Sequence, residues 1–274
     1  NAEKAEAFRA KYNYEQICTS YDELVADPEI DLIDISVPPR LHIPYCIQAL
    51  KAGKSIICEK PITGYFGNGT DNIGKTVSKA QMWEEMDQQL TELKKVIHES
   101  KGKFFYAEDF VYATPVQKAA EILRAKKSKI MFMNGIESII GSTSEAASEW
   151  KNFGGGTTMR NGIHILSTMM YLKQVEAQAR GEKITVKSVM AEMGQISKVP
   201  LKEGEKQYPQ AHPNDVEDCS NIILTYSDGS MCNIIGTDAV VGGSANHINV
   251  ACNDMKFQMN LTQNDLLKSN CCDD

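Results

Sequence analysis

The stretch Ile30-Asp31-Leu32-Ile33-Asp34-Ile35-Ser36-Val37-Pro38-Pro39 decides the fold. It is rich in isoleucine and leucine and stops at two prolines, which cannot extend a strand ladder, so a buried strand ends there and the chain turns. Residues 43–52 follow with helical spacing, and Gly53 stands where a left-handed C-terminal cap belongs. Lys54-Ser55-Ile56-Ile57-Cys58 then reads as a second buried strand. Strand, helix and strand in this order are the signature of a parallel sheet.

Upstream, residues 1–11 read as a helix, Ile17–Thr19 as a short strand, and Tyr21–Ala26 as a helical turn with Ser20 as its N-cap. Downstream, the glycine-rich stretch 63–70 is a loop. Met82, Trp83, Met86, Leu90, Leu93, Val96 and Ile97 give a helix over 80–100. Lys103–Ala107 is a strand, and Pro115 opens a helix to Arg124. Beyond that the character changes. Lys129–Ile140, Ile184–Ile196, Cys219–Tyr226, Met231–Ala239, Ile248–Ala251 and Met255–Leu261 read as strands, with a hairpin turn at Ser227-Asp228-Gly229-Ser230 and one helix over 157–172. The expected architecture is an α/β parallel sheet over residues 1–113. An α+β domain with a largely antiparallel open sheet follows over 114–274. Residues 198–213 read as a surface loop.

The composition is that of a soluble chain: 274 residues, 42% apolar, 24% charged, formal net charge −7. An acidic balance disfavours nucleic-acid partners, and no apolar run approaches the roughly 18 residues of a membrane span. The eight cysteines are too sparse for a disulfide scaffold. They lack Cys-x-x-Cys or Cys-x-x-His spacing, so free thiols, a reducing cytoplasm and no metal centre are expected.

Polar residues gather at the ends of consecutive strands: Ser36-Val37-Pro38-Pro39 with His42 after the first, Glu59-Lys60-Pro61 after the second. In an open parallel sheet, ligands bind outside the carboxyl ends of the strands. Together with Ala49-Leu50-Lys51-Ala52-Gly53-Lys54, and with Gly154-Gly155-Gly156-Thr157-Thr158-Met159-Arg160-Asn161-Gly162-Ile163-His164 further on, the chain resembles the glucose–fructose oxidoreductase / inositol dehydrogenase / MocA family. The resemblance covers nearly the whole chain.

The resemblance implies an α/β Rossmann-type parallel sheet over residues 1–113, lacking its first βαβ unit, and an NAD- or NADP-dependent oxidoreductase acting on a secondary alcohol or ketone of a sugar, sugar acid, glycoside or polyol. Alternatives on the same fold are an NAD-dependent glycosidase working by transient oxidation and a non-catalytic sugar- or NAD-sensing regulator. It further implies that the backbone of Ser36, Val37 and Pro38 lines the dinucleotide, that Glu59 accepts a ribose hydroxyl, and that Lys60 and His164 flank the reacting carbon. His42 is a cofactor-wall candidate and equally a helix-start residue. Pairing of second-domain sheets into dimers or tetramers is also implied.

The chemistry of the residues agrees with those roles. Oxidising an alcohol needs a base of near-neutral pKa, which histidine supplies unaided and Lys60 supplies only if its pKa is lowered. His164 is therefore the expected acid/base, and Lys60 the residue that orients the hydroxyl. Glu108 and Asp109, at the end of the strand 103–107, are candidates for substrate or nicotinamide contact. Arg160 stands where many family members carry Asp, and as a fixed cation it suits a substrate carboxylate or hydroxyls. Asp215, Glu217 and Asp218 resemble a stretch that opens a sheet strand in relatives, which implies a structural or interface role. The G-x-G-x-x-G phosphate cradle and the second-strand acidic residue of a dinucleotide fold are not found. Residues 1–274 thus read as an enzyme lacking its first elements and its C-terminal end, and are expected to bind NAD weakly.

Overall fold

The computed structural model describes residues 2–262 and 266–272, and the chain divides into two units. The first comprises residues 1–63 and 84–107. Strands β1 (Leu32–Ile35), β2 (Ser55–Glu59) and β3 (Phe104–Ala107) form a parallel sheet in that order, with Ile33 opposite Ile56 and Ile56 opposite Phe104. Ile33, Ile35, Ile56 and Cys58 point into a core completed by Cys46, Ala49 and Leu50 from one helix and by Leu93 and Val96 from another. Those helices are α3 (His42–Lys51) and α5 (Lys79–Glu99). Gly53, at φ +80°, follows the Ala52 cap of α3 and turns the chain into β2.

Two further helices precede the sheet, α1 (Ala2–Tyr12) and α2 (Tyr21–Ala26). The strand expected at Ile17–Thr19 does not form. Ser20 Oγ accepts the Glu23 N–H at 3.2 Å, and the Glu23 carboxylate accepts the Thr19 N–H at 2.9 Å, a reciprocal cap that uses these residues to start α2. Ile17 and Cys18 remain exposed, and among the described residues no strand pairs with them.

The second unit comprises residues 64–83 and 108–274. After the short helix α4 (Ile73–Thr76), its helices are α6 (Thr114–Lys126), the single turn α7 (Trp150–Phe153) and α8 (Ile163–Arg180). Its strands are β4 (Ile130–Ser138), β5 (Val186–Gly194), β6 (Cys219–Tyr226), β7 (Met231–Thr237), β8 (His247–Cys252), β9 (Met255–Asn260) and β10 (Leu266–Cys271). They form one sheet in the order β10-β9-β8-β4-β7-β6-β5, antiparallel except for β4 with β7. The core lies between one face of this sheet and α6 and α8, where Val116, Ala120 and Leu123 meet Ile165, Met169 and Leu172 over Met133, Ile234 and Val250.

On the other face Asn134 stands opposite Asn233 and Asn249, and Asn249 opposite Gln258, so an amide row crosses four strands. Asn249 Nδ2 donates to Asn134 Oδ1 at 3.0 Å. Phe132, Met231 and Met190 are exposed. Among the described residues no helix is long and apolar enough to cross a membrane, and all eight cysteines are free thiols.

The α8 helix runs eight residues beyond the expected end at 172, to a cap at Gly181 with φ +67°. The apolar pattern fails there because Lys173 and Glu176 are charged, yet both are buried. Lys173 Nζ donates to Glu176 Oε2 at 2.6 Å, Asp228 Oδ2 at 2.8 Å and the Ile130 carbonyl at 3.1 Å, which uses all three ammonium donors. Lys129 bridges Asp228, Glu182 and Glu176 from the rim. Burial pushes the Asp228 carboxyl up, but hydrogen bonds from Lys129, Lys173 and Ser230 outweigh it and hold the group well below its ordinary range. Lys173→Ala is expected to cost about 3 kcal/mol of unfolding free energy, because it leaves buried Glu176 to Lys129 at the rim, 3.3 Å away. Lys173→Met combined with Glu176→Leu is expected to recover most of that loss, with urea denaturation as the measurement.

Candidate active site

In the first unit the predicted residues fall at the carboxyl ends of adjacent parallel strands: Ser36, Val37 and Pro38 after β1, Glu59 and Lys60 at and after β2. Ser36 Oγ donates to Asp34 Oδ1 at 2.8 Å, and the Lys60 N–H donates to Glu59 Oε2 at 3.1 Å. The Lys60–Pro61 peptide is cis.

His42 is placed differently from a cofactor contact. It is buried, with Nδ1 2.7 Å from the Pro61 carbonyl oxygen and Nε2 2.9 Å from that of Val37. Its ring ties the two strand-end loops together and has no N–H left for a dinucleotide. Only the doubly protonated ring can donate to both carbonyls. Burial pushes the imidazole down, while Cys58, Pro61 and Val37 push it up more, so the net direction is upward.

As a test of a dinucleotide, the donor set here is one-sided. Backbone and carboxylate groups at the strand ends suit a nicotinamide and ribose wall. The glycines of the unit, Gly53 and Gly102, precede β2 and β3 and lie at the opposite strand ends.

In the second unit Glu108, Asp109 and His164 come together. The chain leaves β3 into a tight turn, Phe110–Tyr112, and His164 is the second residue of α8. His164 Nδ1 lies 2.6 Å from Glu108 Oε1 and 3.2 Å from Asp109 Oδ1. The Phe110 ring stacks on the imidazole, with centroids 4.7 Å apart at 23°. Glu108 is 3% exposed and His164 8%, whereas the Asp109 side chain is 75% exposed. The ligand atoms of these three residues lie within 4.8 Å of one another, so the same group could hold a cation.

The position of His164 is set by the segment before it. Glu217 accepts the Gly156 N–H at 2.9 Å and the Thr158 N–H at 3.1 Å, satisfying donors that a helix start leaves over. A Cβ at Gly156 would sit 1.9 Å from the Glu217 carbonyl oxygen. A π-helical turn, Thr158–Gly162, then leads into α8, and Gly162 packs directly on Gly236 of β7. Neighbouring acidic groups are structural as well. Asp215 accepts from the Gly74 and Trp150 N–H groups, and Asp218 from those of Ile196 and Ser197.

Arg160 lies in the π-helical turn, and its guanidinium pairs with Asp238. Asp238 also accepts from Thr157 Oγ1 at 2.8 Å and Asn161 Nδ2 at 2.9 Å. Burial moves the Arg160 guanidinium down from its ordinary value, with Glu217 opposing. Asp238 and Phe110 are the partners that reading the sequence missed. The signal for Asp238 was an arginine in a buried turn, which requires a carboxylate; Phe110 carried no such signal.

Residues 1–82 match the oxidoreductase family with the NAD-binding Rossmann fold. An uncharacterized oxidoreductase of Schizosaccharomyces pombe is 40% identical over 74 residues, 27% of this chain and 20% of that protein. Trans-1,2-dihydrobenzene-1,2-diol dehydrogenase of Mus musculus is 27% identical over 226 residues, 82% of this chain and 54% of its own. The solved structure of levoglucosan dehydrogenase in complex with NADH and levoglucosan superposes with a TM-score of 0.74 at 18% identity, covering 100% of this chain and 66% of that one. That likeness establishes a Rossmann-type unit followed by an α+β unit. In each case the chain spans less than two thirds of the relative's length.

Replacing His42 by Gln is expected to lower stability by about 1–2 kcal/mol at slightly acidic pH. Because the folded-state pKa of His42 is raised, its contribution is complete below the unfolded value of about 6.5 and is lost as pH rises through the folded value. Urea unfolding of both proteins across that range should show the difference narrowing toward alkaline pH.

Proposed function

We propose that this chain, which over residues 1–82 belongs to the oxidoreductase family with the NAD-binding Rossmann fold, carries out NAD- or NADP-dependent hydride transfer at a CH–OH group of a sugar-like substrate. The observation that carries the reading is His164: an imidazole at a helix start, held on a carboxylate and stacked on an aromatic ring. A group of that kind can take a hydroxyl proton and return it near neutral pH. Relatives in sequence that bear names of known activity, among them trans-1,2-dihydrobenzene-1,2-diol dehydrogenase and levoglucosan dehydrogenase, support the same reaction class.

In this reading the nicotinamide, when bound, accepts or donates the hydride. Ser36, Val37, Pro38 and Glu59 form the wall that holds it, with His42 fixing the two loops from beneath. Lys60 orients the substrate hydroxyl as a cation, and His164 moves its proton. Of the two carboxylates after β3, exposed Asp109 is the one assigned to substrate, because Glu108 is buried. Arg160 has less claim to a substrate carboxylate than its residue type suggests, since Asp238 already supplies one. The outer sheet face, with Phe132 and Met231 exposed beside the amide row, is assigned to pairing between copies of the chain.

A panel of sugars, sugar acids, glycosides and polyols, assayed for reduced nicotinamide, tests the reaction. His164→Gln and Lys60→Met are each expected to lower kcat by about 10²–10⁴-fold. Full activity in either variant would remove that residue from the chemistry, and glycoside cleavage without net NADH would favour the glycosidase reading. Sedimentation of Phe132→Lys against the unaltered chain tests the pairing: an unchanged mass would count against it.

A further inference from the structure

Histidine can be a base at either ring nitrogen, and which one is available depends on what holds the other. At His164, Nδ1 faces Glu108 Oε1 at 2.6 Å, a short hydrogen bond. The same Oε1 accepts the Phe110 N–H at 3.3 Å, and the Phe110 ring stacks on the imidazole. One short turn thus fixes both the carboxylate and the plane of the ring it serves. Oε2 of Glu108 is buried with no hydrogen-bond partner, so this carboxylate is sealed from solvent.

We propose that Glu108 is a positioning residue that holds His164 with its proton on Nδ1, leaving Nε2 as the basic nitrogen, and that it raises the proton affinity of the ring. The proposal rests on His164 being the acid/base of the reaction. The logic is that of a carboxylate–histidine pair in which the carboxylate sets tautomer and orientation without reacting.

Asp109 is the competing partner, at 3.2 Å but largely exposed, so solvent screens it. Glu108 and Asp109 both face Nδ1 of the ring. On α8 itself the nearest in sequence are Lys173 and Glu176, engaged with each other, and Arg160 before it pairs with Asp238. From the facing helix α6, Lys118 and Glu121 pair with each other at the exposed surface. A cation shared by Glu108, Asp109 and His164 would need Nδ1 deprotonated, so the two arrangements are mutually exclusive and are separated by the zinc addition below.

The test is nitrogen NMR of the histidines in the full chain, with the His164 resonance identified by its loss in His164→Gln. The neutral ring is expected to carry its proton on Nδ1. Glu108→Gln is expected to lower the proton affinity of His164 about tenfold or more, and Asp109→Asn to change it much less. A proton on Nε2 in the unaltered chain overturns the proposal without any variant having to fold. So does a larger effect from Asp109→Asn, or loss of the Nδ1 proton on adding stoichiometric zinc.

In the hydride-transfer assay, Glu108→Gln should reduce kcat about tenfold with KM nearly unchanged. It should also shift the acid limb of the kcat/KM profile to lower pH, while Glu108→Asp restores part of the rate. The expected NMR coupling with an unimpaired His164→Gln enzyme overturns the acid/base reading and the positioning role with it. Absence of the coupling in an enzyme that needs His164 overturns the positioning role alone.

Discussion

The helical run that carries His164 starts inside the protein, and a helix start leaves N–H groups without partners. Glu217 resolves this by receiving the Gly156 and Thr158 N–H groups on its carboxylate and the Thr157 N–H on its backbone carbonyl. That fit works only because position 156 has no side chain, and it draws the glycine segment onto the residues leading into β6. Gly162 against Gly236 repeats the constraint one turn later. Between these two contacts the start of α8 has little freedom, and the ring of His164 inherits that rigidity. Arg160, Asn161 and Thr157 then converge on Asp238, so the polar interior of the turn is cross-linked by one buried carboxylate.

Much of this could be read in the residues themselves, for local reasons. Ser20 and Glu23 cap a helix wherever they occur three apart before an apolar run. Gly53 announces a helix end, and the strands around Ile33 and Ile56 are short, branched and bounded by turns. Ser227–Ser230 joins β6 to β7 as its composition implies. The acidic stretch 215–218 was legible as scaffold through its resemblance to a stretch in relatives, and His164 was likewise singled out by the family motif that carries it.

The rest depended on contacts between distant residues. Lys173 and Glu176 interrupt an apolar pattern, which argues for a helix end until Asp228 and Lys129 are brought to them by the fold. β10 has no alternation to betray it; Leu266, Lys268 and Asn270 are exposed and the strand is defined by its ladder with β9. Glu108 lies 56 residues from His164, and Asp238 lies 78 from Arg160. Residue types raise the question of a partner in such cases, and topology answers it. His42 is the clearest instance, since a histidine at a helix start beside a ligand crevice suggests a contact, whereas the fold turns it inward as a brace.

The amide row of Asn134, Asn233, Asn249 and Gln258 has a consequence for whatever covers that face. A wholly apolar sheet surface can be covered in many alignments at similar free energy, because apolar contact is non-directional. Amides buried in such a surface lose free energy unless each finds a donor and an acceptor. Toward any surface laid against this face the row would act as a register key: a surface that slides by one residue along the strands would leave the amides facing hydrocarbon, and only an alignment that meets them would be favoured. The same residues that weaken the face as an adhesive make it discriminating.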